Sequence, residues 1–189
     1  RAGAAGGCLT EIGTLIAARS LRGFVDGFVA VLLPVYLLAL GLDVWAVGVL
    51  STATLLGSAL ATLAVGAWGH RYPPRALLLG AAALMAGTGV AFAGFESFWP
   101  LAVVAFVGTL NPSSGDVSVF LPLEHARLAS AAAGERRTVA FARYSLAGAL
   151  AAACGALAAA LPAWAARRAS VSMLDGLRGM FVAYARVGL

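Results

Sequence analysis

The fold class this sequence predicts is all-α, a polytopic transmembrane helical bundle, and three observations predict it. Five apolar stretches follow one another, each about as long as the roughly 20 residues a helix needs to cross a hydrocarbon core. Composition agrees, with 61% hydrophobic and 11% charged residues and a mean hydropathy of +0.92, more apolar surface than a water-soluble core can absorb. Of the 13 arginines only Arg143 falls inside one of the stretches, and the rest lie in the connections between them or flank the set.

Residues 1–22 read as an amino-terminal cytoplasmic segment, 23–161 as a five-helix bundle, and 162–189 as an external or interfacial connection leading into a sixth span. The five predicted spans are Gly23–Leu42, Val44–Trp68, Ala76–Phe95, Phe98–Phe120 and Val139–Leu161. Arg19 and Arg22 precede the first, Arg71 and Arg75 separate the second from the third, and Arg127, Arg136 and Arg137 separate the fourth from the fifth. The positive-inside rule puts those three regions in the cytoplasm. The opposite connections, Gly41-Leu42-Asp43 and Gly94-Phe95-Glu96-Ser97, are short and hold acids without bases, as external turns do. Arg167, Arg168 and Arg178 fall on the external side in this scheme and run against the rule. Gly23 and Gly27, Gly57 and Ala61, and Gly148 and Ala152 are small residues four apart, the spacing that lets helix backbones approach closely in lipid. Arg1 at the start and the apolar Met180–Tyr184 near the end suggest a fragment broken off in its sixth helix.

Several function classes are excluded. The formal charge of +5 comes from 13 basic residues, all arginine, spread over loops without a basic helix face or an aromatic platform, so nucleic acid is not the expected partner. Anionic lipid head groups are the better match. Cys8 and Cys154 have neither the number nor the spacing for a disulfide framework or a metal site. Glu124 beside His125 lacks a second histidine four residues on, and no phosphate-binding glycine motif occurs. No cofactor, metal or enzymatic activity is expected.

The loop after the second span reads Gly66-Ala67-Trp68-Gly69-His70-Arg71-Tyr72-Pro73-Pro74-Arg75. It resembles the loop motif of the major facilitator superfamily, in which a glycine is followed by an acid, an arginine, a second glycine and further basic residues. Gly66, Arg71 and Arg75 match; His70 stands where the family has an aspartate, and Pro73 and Pro74 replace a glycine and a basic residue. The resemblance, which runs from about Arg19 to the end, implies the amino-terminal half of a twelve-helix transporter, with its carboxy-terminal half as the missing partner. It further implies a substrate path between the halves. In the family this loop is a charge latch, so His70 implies a weakened or pH-sensitive latch, or a plain exposed turn residue.

Ionisable groups within spans are costly and therefore worth locating. Asp26 lies one turn inside the first span, Asp116 near the cytoplasmic end of the fourth, and Arg143 with Tyr144 near the start of the fifth. Charge sign and depth suggest pairing Asp26 with Arg143, and Asp116 with Arg71 or Arg75. The run Asn111-Pro112-Ser113-Ser114-Gly115-Asp116 reads either as a broken helix lining a cavity or as a hydrated kink at the interface. Leu121–Ala129 alternates apolar and charged positions as an amphipathic helix on the cytoplasmic face would.

The expectation is therefore a secondary transporter of a small solute, an efflux-type permease working by alternating access. An ion gradient would drive it, with Asp26, Asp116, Glu124 or His70 as groups able to carry a proton. A non-transporting membrane scaffold is the alternative and an intramembrane enzyme a weaker one. The alanine- and arginine-rich, lysine-free composition suggests a bacterial inner membrane, with the amino terminus in the cytoplasm.

Overall fold

The computed structural model describes residues 2–108, 110, 120–131, 135–164 and 172–188. Among them every regular element is helical. The helices are α1 (Ala2–Ala39), α2 (Val44–Trp68), α3 (Pro74–Gly94), α4 (Phe98–Val107), α5 (Phe120–Ala131), α6 (Glu135–Ala158) and α7 (Met173–Val187), with a 3-10 turn at Gly69–Arg71 after α2. Four helical segments are long and apolar enough to cross a membrane: Ile12–Ala39, Val44–Arg71, Pro74–Gly94 and Arg137–Trp164. The protein is thus a multi-pass helical membrane bundle.

The helix boundaries have local causes. Gly41 closes α1 at φ 82°, a left-handed conformation open to glycine at no steric cost. The next α-helix starts at Val44, three residues later, where the Asp43 carboxylate accepts the Ala46 backbone N–H at 2.8 Å and caps α2. Pro73 is the extended residue before α3 and Pro74 opens it, where its missing N–H costs nothing.

Two predicted spans change. The first helix reaches back through the segment assigned to residues 1–22, because nothing between Ala2 and Gly23 breaks a helix. The predicted fourth span, Phe98–Phe120, is not one helix. α4 stops after ten residues at Gly108, whose backbone is extended, and covers about 15 Å of a hydrocarbon layer about 30 Å thick. Asn111, Asp116 and the rest of 111–119 lie outside the described residues. The expected sixth span corresponds to α7, 15 residues long and not among the membrane-crossing segments.

α1 is the central element. It runs parallel to α6 at very short range: a Cβ on Gly23 would meet the Gly148 carbonyl oxygen at 2.7 Å, and one on Gly27 would meet the Ala152 carbonyl carbon at 2.7 Å. Gly155 in turn lies against the Phe24 backbone, and Gly57 of α2 against Phe106 of α4. Five of the six small residues picked out by spacing, Gly23, Gly27, Gly57, Gly148 and Ala152, are thus contact points between helices. At the other end of α1, Tyr36 and Phe92 both pack on Phe181 of α7, with ring centroids 4.8 and 5.6 Å away. The buried Tyr36 hydroxyl donates to the Phe92 carbonyl at 2.6 Å, tying α1 to α3. Arg178 of α7 pairs with Glu96 in the α3–α4 connection, which gives one of the three anomalous arginines a local acid.

Candidate functional site

The candidate site is built where α1, α5 and α6 meet. Arg19, Arg22 and Asp26 recur at three- and four-residue spacing, so they share one stripe of α1. Asp26 lies near the middle of the 28-residue Ile12–Ala39 span and is buried. α5 presents Phe120, Glu124 and Leu128, three residues four apart and all buried, to the bundle. Its amphipathic pattern therefore places Glu124 on the inner face, among apolar neighbours, and not on the solvated one.

Glu124 is held from two sides. Arg22 donates to Oε1 in an ion pair whose side chains are 14% and 4% exposed, and the buried Tyr144 hydroxyl of α6 donates to Oε2. A buried carboxylate needs such compensation, since an isolated ion in a low-dielectric interior costs several kcal/mol. Aromatic faces finish the enclosure. The Arg22 guanidinium lies 4.4 Å from the Phe120 ring centroid, Arg19 lies 5.8 Å from that of Tyr144, and His125 meets Tyr144 edge-on at 5.4 Å. Arg19 reaches this position over Gly148, where a Cβ would stand 3.0 Å from Arg19 Cγ. Its Nε is buried without a hydrogen-bond partner.

Asp26 has no ion pair or hydrogen bond among the described residues, and the cations acting on its charge are Arg19 and Arg22. The cluster therefore holds two arginines and two carboxylates, Glu124 bonded from two sides and Asp26 without a hydrogen bond or ion pair among the described residues. A cleft of about 340 Å³ between α1, α3 and α5 opens beside it, lined by Thr14, Leu15, Arg22, Leu79, Phe120 and Glu124 among others. Outside the spans, burial and the nearby Arg19 charge push the His125 imidazole below its ordinary pKa of 6.5.

Of the residues chosen from sequence, Asp26 and Tyr144 belong to this junction. The predicted Asp26–Arg143 pair does not form: Arg143 is exposed on the opposite side of α6 from α1. Arg71, Arg75, His70 and Gly66 are exposed, and Gly69 begins the turn after α2. The other proposed partner, Asp116, lies outside the described residues with Asn111. Sequence reasoning missed Arg22 and Arg19 as interior groups and the anchoring of Glu124. The signal was present in the four-residue spacing of Phe120, Glu124 and Leu128.

No protein-family profile matches this chain, and no solved structure matches it. The chain is similar to the "Uncharacterized membrane protein YJR124C" of Saccharomyces cerevisiae, with 26% identity over 140 residues, which is 74% of this chain. The chain spans 31% of that protein's length.

Proposed function

We propose that this bundle belongs to a secondary transporter that moves a small solute across the membrane by alternating access, with protons as the coupling ion. The observation that supports the reading is Asp26. It is a buried carboxylate at mid-span, within the field of Arg19 and Arg22 and bonded to nothing among the described residues. Ionisable groups in such positions cost about 2.5–3.5 kcal/mol on insertion scales and mark ion or substrate pathways. The resemblance of the Gly66–Arg75 loop to the major facilitator pattern adds the alternating-access mechanism. The arginine-rich end is assigned to the cytoplasm by the positive-inside rule. Composition favours a bacterial inner membrane, although the similar protein is from yeast.

A second reading, a non-transporting scaffold, is favoured by the tight α1–α6 contact, which leaves these two helices little freedom to move apart. The full reading frame in proteoliposomes separates the two. Solute-coupled proton flux in the wild type, abolished in Asp26→Asn with the melting temperature kept, is the expected result. Equal flux in the variant removes Asp26 from the mechanism, and no flux with a broad solute panel moves the assignment to the scaffold.

A further inference from the structure

Gly148 stands apart from the other glycines at the α1–α6 contact. A Cβ added to Gly23, Gly27 or Gly155 would run into backbone atoms of the facing helix, so those three let the helices approach. A Cβ on Gly148 would instead meet the Arg19 side chain, at 2.5 Å from Nε, 3.0 Å from Cγ and 3.3 Å from Cδ. The side chain that Gly148 lacks is thus the space Arg19 occupies. An arginine near the end of a span ordinarily runs out to the head groups. Arg19 lies across α6 instead, with its guanidinium 5.8 Å from the Tyr144 ring centroid and its Nε buried without an acceptor.

Asp26 gives that placement a purpose. Of the two cations acting on its charge, Arg19 acts the more strongly, although it stands seven residues away along α1 and Arg22 only four. The Arg22 guanidinium is already taken by Glu124, whose other oxygen accepts from Tyr144. The remaining titratable groups around the pair, among the described residues, are His125 of α5 and Tyr184 of α7. Arg19 is therefore the cation without an acid and Asp26 the acid without a cation. From this arrangement we infer that Gly148 is a positioning residue: it admits Arg19 to the interior as the counter-charge that Asp26 acquires on losing its proton, so that α6 sets the pH at which α1 exchanges a proton. With Asp26 protonated the two side chains together carry a single positive charge, and with Asp26 ionised they carry none. An opposite charge at close range favours the ionised carboxylate, which in a low-dielectric interior needs such a partner. The use of this exchange in coupling rests on the transport reading, whereas the exchange itself can be measured without transport.

A pH titration by infrared difference spectroscopy tests it, on the protein in its full reading frame in vesicles of phosphatidylethanolamine and phosphatidylglycerol. The carbonyl stretch of protonated Asp26 is the titrating band that Asp26→Asn removes. Arg19→Gln should move the midpoint of that band up by about 1–3 pH units, because the ionised form loses its counter-charge. Gly148→Ala should move it in the same direction, since the added methyl displaces the guanidinium, and Arg19→Lys should stay nearer the wild type. Gly148→Ala keeps both charged groups, so it decides the matter even where Arg19→Gln does not fold. A midpoint unmoved in Gly148→Ala overturns the inference, and so does a wild type with no titrating band that Asp26→Asn removes. Solute flux in the same vesicles separates this outcome from the transport reading. Shifted midpoints without flux keep the Arg19–Asp26 exchange and remove the transporter, and flux with unmoved midpoints does the reverse.

Discussion

Gly27→Ala is the sharpest test of the packing described above, because it adds one methyl group at the α1–α6 contact. The new Cβ would stand 2.7 Å from the Ala152 carbonyl carbon and 2.8 Å from its Cα. Both are backbone atoms that no rotamer change can move aside. The Ala152 carbonyl oxygen stands nearer still, so to reach the 3.4 Å edge of ordinary contact the helices must part by more than about 0.7 Å, and a gap of 0.5–1 Å already forfeits about a quarter to a half of the dispersion well of each facing atom pair. Overpacking of this kind costs about 1–3 kcal/mol. Gly80→Ala in α3 supplies the control, since its Cβ would meet nothing within 4 Å. Both substitutions gain the same helix propensity, up to about 1 kcal/mol, so the difference between them isolates the contact. Reversible denaturation in mixed micelles should therefore rank Gly27→Ala below Gly80→Ala by about 1–3 kcal/mol. Equal stability of the two variants would refute the close α1–α6 packing.

Two further outcomes follow from the charge cluster. Glu124→Ala leaves the Arg22 guanidinium buried without its acceptor and should destabilise the bundle by about 3–5 kcal/mol, whereas adding Arg22→Met should recover most of that loss; denaturant titration of the three variants measures it, and additive losses would contradict the pairing. Protonation of His125 is disfavoured in the folded bundle, since burial and Arg19 depress its pKa. The unfolded chain then binds more protons, so the contribution of His125 to stability is complete above pH 6.5 and declines as pH falls through the lower folded value. Melting temperature against pH should show that decline, and His125→Gln should flatten it.

What could be read in the sequence follows from which signals are local. Span length and hydropathy are properties of single segments, and they located α2, α3 and α6 to within a few residues. The turn at Gly41–Asp43 was equally legible, because a left-handed glycine and a capping aspartate act within their own segment. α4 was misjudged because hydropathy does not register where a helix stops: Val107–Leu110 is apolar on both sides of the break at Gly108.

The charge pairing failed for a different reason. Depth and sign matched Asp26 with Arg143, but pairing also depends on azimuth around each helix, and Arg143 points away from α1. Azimuth was available in two places. On α1, Arg19, Arg22 and Asp26 fall on one stripe; on α6, Tyr144 and Gly148 are four apart and buried together, so their face is the one α1 meets. Arg143, one residue before Tyr144, is rotated by about 100° from that face, since a helix turns once in 3.6 residues. A charge one position away from a buried aromatic is thus turned out of the same interface, which is why Arg22 finds Glu124 of α5 while Arg143 stays exposed on the outer surface of the bundle.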